Sequence, residues 1–199
     1  ENMKILKILG YKFSTDEISY FFPKNNFFNK LKPQKEILIH PGCSRSQKFR
    51  RYPLEHWKSV VETLKRKKIS FSILLGPQEV ELAKFFLSVV KEPDSVLIIK
   101  DFDELFKVLA SHEIVLHNDS GIGHLARALD CKKKIISIFG PANPNRTKPY
   151  GKNTVVLYPK IKLDCMPCVV PGGKWGCEEQ NCLRSISPQE VINEIMIHL

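Results

Sequence analysis

The sequence lacks the long apolar segments that a membrane protein or a secreted precursor carries. A transmembrane helix needs about 20 consecutive apolar residues, and the longest apolar stretches here, such as residues 135–139, are only as long as a strand. The N-terminus lacks a basic segment followed by a long apolar one, so we predict no signal peptide. Because the chain does not begin with Met, we expect a mature or cut piece of a longer protein.

Acidic residues are also scarce relative to basic ones. The chain has 21 Asp and Glu against 31 Lys and Arg, which gives a net charge of +10. This excess favours an anionic partner, namely nucleic acid, an acidic membrane surface or the phosphate of a small ligand. A lysine-rich proteome would give the same charge without any function. The 43% hydrophobic and 26% charged fractions are those of a globular domain and exclude disordered and collagen-like chains.

Short apolar runs alternate with amphipathic segments through most of the chain. The alternation predicts an α/β fold, with a Rossmann-like parallel sheet covered by helices on both faces. Predicted strands cover residues 36–40, 70–75, 95–99, 113–117, 134–139 and 154–158, and predicted helices cover 54–67, 78–90, 102–110 and 121–129. We expect residues 1–35 to be a lead-in and 36–199 to be one domain with a Cys-rich loop at 160–184. Ligands of such sheets bind outside the carboxyl ends of the strands.

The loop at residues 40–51 follows the first predicted strand and is rich in cations. It contains Arg45, Lys48, Arg50 and Arg51, with the hydroxyl of Ser44 at its start. Lys supplies a compact charge and Arg a bidentate fork, and both suit phosphate or diphosphate. A solvated basic turn is the alternative interpretation.

The turn at residues 117–124 joins a predicted strand to a predicted helix. Asp119 or Ser120 is placed to cap that helix, and Gly121 lets an anion approach the exposed N–H groups. His124 lies one turn into the helix and can face the same point, although a lone histidine often serves packing alone.

A carboxylate follows the second predicted strand. Glu79 could accept hydrogen bonds from ribose hydroxyls, as the acidic residue of dinucleotide-binding folds does. It could equally serve only the dipole of the helix that begins there. The loop at residues 139–146 is rich in Gly and Pro and is predicted to be a shaped rim.

Four of the six cysteines fall within eighteen residues. Their pattern, Cys165-x2-Cys168-x8-Cys177-x4-Cys182, is compatible with a structural zinc site. Buried or loosely placed thiols, or disulfides formed during handling, are the alternatives.

Four stretches in this order resemble glycosyltransferase family 9, the bacterial lipopolysaccharide heptosyltransferases. They are HPGCSRSQKFRRYPLEHWKSVVETL, ILLGPQEVELA, NDSGIGHLARALDCKKKIISIFGPANPNRTKPYG and the cysteine segment that leads into CLRSISPQEVINEI. The resemblance runs from about residue 36 to the end of the chain. It implies the C-terminal, donor-binding half of a two-domain GT-B glycosyltransferase.

The resemblance also implies roles for individual residues. Lys48 and Ser44 would contact the donor diphosphate, and Glu79, or Gln78 beside it, would lie near the nucleoside. The diphosphate and sugar end would be lined by Asp119, Ser120, Gly121 and His124. Since a carboxylate repels phosphate, we expect Asp119 to contact sugar hydroxyls, backbone N–H groups or His124. Cys43 would be part of the wall rather than a nucleophile.

The implied reaction is inverting transfer of heptose from ADP-heptose to a lipopolysaccharide core acceptor, with no metal required for catalysis. The general base is expected in an N-terminal domain, so no catalytic residue is assigned in this chain, which alone would bind donor without turnover. The acceptor would be a lipid-linked saccharide reached through that domain. The implied location is cytoplasmic, with weak peripheral contact with the inner membrane through basic residues.

Two other functions fit parts of the sequence. Another GT-B nucleotide-sugar enzyme, such as a sugar epimerase, would need catalytic carboxylates or histidines in the same cleft, where only Asp119 and His124 stand out. A basic zinc-bearing nucleic-acid module is disfavoured because the basic residues are spread along the chain and no RRM, KH or Cys₂His₂ pattern is present. We therefore expect no nucleic-acid partner.

Overall fold

A six-stranded parallel sheet forms the centre of the protein in the computed structural model, which describes residues 35–129, 132–168 and 177–199. The strands are β1 (Lys35–His40), β2 (Phe71–Leu75), β3 (Val96–Ile98), β4 (His112–Asn118), β5 (Lys134–Ile138) and β6 (Thr154–Leu157). The α-helices are α1 (Leu54–Arg66), α2 (Val80–Val90), α3 (Phe102–Ala110), α4 (Gly121–Leu129), α5 (Pro144–Thr147), α6 (Asn181–Arg184) and α7 (Pro188–Met196).

The strand order is β3-β2-β1-β4-β5-β6, and every neighbouring pair is parallel. The chain therefore builds outward from β1 to one edge and then crosses over to β4 and the other edge. This reversal leaves a crevice above the carboxyl ends of β1 and β4, where ligands of open α/β sheets bind. His40 and His117 are register partners at that point. The predicted α/β Rossmann-like fold is confirmed.

Both faces of the sheet are buried, as the apolar runs of the strands predict. Ile37 and Ile39 face a cluster that includes Trp57 of α1 and Phe86 of α2. Leu38, between them in β1, faces the opposite cluster with α3 and α4. The two-residue period of a strand thus places successive side chains in two separate cores.

Local capping by side chains fixes the starts of two helices. The carboxylate of Asp101 accepts a hydrogen bond from the backbone N–H of Glu104 at 2.8 Å, at the start of α3. Ser187 and Glu190 form the reciprocal capping box of α7, which satisfies two orphan N–H groups.

Three predictions need correction or fall outside this description. The loop expected at residues 159–184 ends in the short helix α6, and the basic loop contains a 3₁₀ helix at Arg45–Arg50. The lead-in lies outside the described residues, apart from its last residue, and so do residues 169–176 of the Cys-rich loop. The domain boundaries therefore stay a prediction.

Candidate functional site

The buried amide of Asn118 holds together the two loops that frame the crevice. Its Oδ1 accepts a hydrogen bond from the backbone N–H of Tyr52 at 3.1 Å, and its Nδ2 donates to the carbonyl of Pro41. These two contacts fix the beginning and the end of the basic loop beside the turn that starts α4. The sequence alone did not reveal this role of Asn118. The signal that could have indicated it is its position at the end of a buried strand, directly before Asp119.

Arg50 lies against Asp119 at the N-terminus of α4. Its Nη1 is 3.1 Å from Oδ2 of Asp119, and the two side chains are only 16% and 8% exposed. Within the described residues, the Nε of Arg50 and the Oγ of Ser120 have no hydrogen-bond partner, and the contact of Oδ2 with Arg50 is an ion pair without hydrogen-bond geometry. The contact that Asp119 makes in the structure is thus with a cation that offsets the carboxylate charge, and its predicted contact with sugar hydroxyls stays a prediction.

Two opposing effects act on the pKa of Asp119. Burial raises the pKa of its carboxyl group, while Arg50 and, to a lesser extent, His124 lower it. A cation beside the carboxylate reduces its repulsion of an anion at this helix terminus. Gly121 leaves the first turn open, since a Cβ there would meet no atom within 4 Å.

His124 bridges α4 and the rim loop. Its Nε2 donates a hydrogen bond to the carbonyl of Thr147 at 2.9 Å, so this nitrogen carries a proton. The ring is exposed on the same end of α4 as Asp119 and Ser120, so these residues do come together.

Glu79 is held in a defined position on the other side of the crevice. Its Oε2 accepts a hydrogen bond from the N–H of Gly76 at 2.9 Å, and its Oε1 lies 3.4 Å from Nη2 of Arg51. Glu79 makes no side-chain hydrogen bond to the first turn of α2, and the alternative that it serves only the helix dipole stays open.

Two adjoining cavities open above the carboxyl ends of β1 and β2. The larger, of about 640 Å³, is bordered by Arg45, Lys48 and Arg51. The smaller, of about 350 Å³, has largely apolar walls that include Leu75, Ile99, Leu105 and Ile122. The two cavities have four wall residues in common, which are Cys43, Gly76, Pro77 and Glu79.

Comparison with known proteins assigns the family. Residues 11–177 match glycosyltransferase family 9 (heptosyltransferase). The chain belongs to this family. It is 32% identical over 153 residues to lipopolysaccharide heptosyltransferase 1 of Escherichia coli K12, covering 75% of this chain and 46% of the relative. It is 26% identical over 156 residues to the protein of the same name from Pseudomonas aeruginosa, covering 72% of this chain and 43% of the relative.

Solved heptosyltransferases share the fold. E. coli heptosyltransferase WaaC with ADP superposes with a TM-score of 0.62 at 20% identity, covering 98% of this chain and 54% of that structure. E. coli ADP-heptose LPS heptosyltransferase II gives a TM-score of 0.60, also at 20% identity, covering 94% and 53%. The chain thus spans about half the length of its family 9 relatives. The assignment does not favour an epimerase or a nucleic-acid module.

Two of the predicted contact residues of this family 9 chain are exposed. Lys48 is 59% exposed, and its Nζ lies 3.8 Å from a carboxylate oxygen of Glu81. The exposed hydroxyl of Ser44 lies 3.2 Å from that of Ser46. Arg50 and Arg51 are the loop cations that reach the buried carboxylates, and spacing alone did not separate them from Lys48. The donor contacts remain predictions.

The cysteines divide between the cavity wall and a separate cluster. Cys43 borders both cavities, as predicted for a wall residue, and its Sγ donates to the carbonyl of Gln47 at 3.1 Å. Cys165, Cys168, Cys177 and Cys182 are all free thiols. No three metal-ligating side chains within the described ranges lie together in a metal-binding arrangement. The zinc site stays a prediction.

The Cys-rich segment also contacts the basic loop. Nε2 of Gln180 donates to the carbonyl of Lys48 at 3.2 Å, and Arg184 forms an ion pair with Glu55 at the start of α1. Among the described residues, no helix is both long and apolar enough to cross a membrane.

Proposed function

We propose that this chain is the donor-binding part of a heptosyltransferase that uses ADP-heptose and a lipopolysaccharide core acceptor. The observation that carries the proposal is the pair of adjoining cavities, one largely apolar and one bordered by cations, at the carboxyl ends of the strands. An apolar cavity suits a nucleobase and a cationic one suits a diphosphate, with Glu79 between them beside the ribose. Two of the similar structures contain ADP and an ADP-2-deoxy-2-fluoro heptose.

In the proposed reaction, an acceptor hydroxyl displaces ADP from the anomeric carbon of the heptose with inversion. Negative charge then grows on the departing phosphate. The open N-terminus of α4 and the cations of the basic loop are fixed donors that stabilise this charge. Asp119 and Ser120 are the residues proposed to contact the sugar beyond the diphosphate, and Asp119 can accept a sugar hydroxyl because Arg50 offsets its charge. The general base is proposed to come from outside this domain, as the family resemblance implies.

The proposed location is the cytoplasm, with peripheral contact at the inner membrane where the lipid-linked saccharide acceptor resides. The supporting observation is the excess of basic residues, 31 against 21 acidic ones. Such an excess draws a protein toward anionic lipid in a salt-dependent way.

Thermal shift with ADP, UDP and GDP tests the proposal. A ligand at 100 times its dissociation constant stabilises the folded state by about 2.7 kcal/mol, which raises Tm by roughly 5–10 °C for a chain of this size. We expect the shift with ADP, and a smaller one for Lys48→Ala because one cation of the larger cavity is lost. Lys58→Ala, on the exposed side of α1, is the matched control and should keep the full shift.

The other outcomes are informative in different ways. A shift with UDP or GDP instead of ADP would retain a nucleotide-sugar enzyme and refute the ADP-heptose assignment. No shift with any of the three nucleotides would refute the proposed donor site in this chain.

A further inference from the structure

Arg51 contacts the carboxylate of Glu79 from a different part of the chain. Nη2 of Arg51 lies 3.4 Å from Oε1 of Glu79, and the side chains are 17% and 11% exposed. Arg51 directly follows the 3₁₀ helix of the basic loop, whereas Glu79 directly precedes α2. The ion pair therefore joins the wall of the cationic cavity to the boundary between the two cavities.

Gly42 borders the space that the Glu79 carboxylate occupies. A Cβ at residue 42 would lie 2.0 Å from Oε1 of Glu79 and 2.5 Å from its Cδ. No side chain can occupy this space while the carboxylate stays where it is. Gly42 thus leaves room for the carboxylate, while the N–H of Gly76 and the guanidinium of Arg51 hold it.

The neighbouring histidine does not compete for the carboxylate charge. His40 is buried, and burial lowers the pKa of its ring more than Glu79 raises it. Its Nδ1 donates a hydrogen bond to the carbonyl of Leu74 at 3.0 Å. Arg51 is the cation in contact with Glu79 among the described residues.

We propose that Arg51 is a positioning residue, which holds the Glu79 carboxylate at the boundary of the two cavities so that ribose recognition depends on Arg51. This inference rests on the proposed function, because it assumes that a nucleoside diphosphate spans the two cavities. This role distinguishes Arg51 from the other cations of the basic loop. Lys48 contributes charge toward the phosphates, whereas Arg51 also sets the geometry of the group that accepts the ribose hydroxyls.

The test compares binding of ADP and 2′,3′-dideoxy-ADP by isothermal titration to the whole chain. A hydrogen bond to a charged group changes affinity by about tenfold or more, so the wild-type protein should bind ADP about ten times more tightly than the dideoxy analogue. Arg51→Gln should reduce this ratio to about three, since coupled neighbours commonly interact at that scale. Gly42→Ala should reduce the ratio as well, because the added methyl displaces the carboxylate.

Two control variants distinguish positioning from charge. Lys48→Gln should weaken both ligands by about threefold, a typical effect of an exposed ion-pairing residue, and leave the ratio unchanged. Arg51→Lys keeps a cation near Glu79 and should restore part of the ratio. Thermal denaturation of each variant verifies that it is folded, and Gly42→Ala tests the same carboxylate from a different loop position.

Each outcome has one meaning. If the ratio is unchanged in Arg51→Gln, Arg51 does not position Glu79 and the inference is wrong, whatever the result with Gly42→Ala. A wild-type ratio near one, with ADP bound, refutes ribose recognition by Glu79 while the proposed donor site survives. Absence of ADP binding to the wild-type chain refutes the proposed function and this inference with it.

Discussion

The ion pair between Arg50 and Asp119 predicts a destabilisation that depends on pH. At 3.1 Å, two unit charges in an effective dielectric of 20 attract by about 5 kcal/mol. Desolvation of both groups offsets much of this attraction. Removing one partner is more costly than removing both, because it leaves a buried charge without compensation. Arg50→Met should therefore reduce the free energy of unfolding by about 3 kcal/mol at pH 8, which lowers Tm by roughly 6–12 °C.

The pH dependence follows from the protonation of Asp119. Burial raises the pKa of its carboxyl group, and Arg50 is the stronger of the two groups that lower it. Without Arg50, the folded-state pKa rises further above the unfolded value of about 3.9. The folded variant then binds more protons than the unfolded chain in the window above that value, so its stability increases as the pH falls through the window. The loss relative to wild type should shrink between pH 8 and pH 5.

The assay is thermal denaturation of wild type, Arg50→Met and Arg50→Met/Asp119→Asn at several pH values. The double variant removes the uncompensated charge and should recover about 2 of the 3 kcal/mol. A loss that is the same at pH 5 and pH 8, together with no recovery in the double variant, would show that Arg50 stabilises the loop by packing alone.

The remaining predictions concern a glycine and the cysteines. A Cβ at Gly123 would lie 2.1 Å from Nε2 of His117, so Gly123→Ala should cost about 2 kcal/mol of unfolding free energy by thermal denaturation. Gly121→Ala, which meets open space, should leave Tm nearly unchanged, and equal losses would contradict the steric argument. Protein purified without chelator should contain about one zinc ion per chain by mass spectrometry, lost in Cys168→Ser and kept in Cys43→Ser. A metal-free wild-type protein would disprove the four-cysteine site.

The fold was predictable because its signals are local. Each strand is an apolar run and each long helix has an apolar face, and Asp101 and Ser187 mark helix starts by chemistry that acts over three residues. Strand order and the gathering of the turns at residues 76–79 and 118–121 then follow from the general topology of such sheets. These local signals do not distinguish one cation from another within a basic loop. Lys48 and Arg50 are two residues apart, and only the tertiary structure shows that Arg50 faces the buried end of β4 while Lys48 faces solvent.

The basic loop also differs from a simple positive patch. Three of its four cations pair with carboxylates from other parts of the chain: Lys48 with Glu81, Arg50 with Asp119 and Arg51 with Glu79. Most of the loop's charge is therefore offset before any ligand arrives. Affinity for an anion must then come mainly from N–H donors that point toward it. These donors are the guanidinium groups, which are held in fixed positions, and the N–H groups of the open first turn of α4. The same pairs place a cation beside the carboxylates of Asp119 and Glu79, and each carboxylate can accept a hydroxyl that a net positive patch could not recognise.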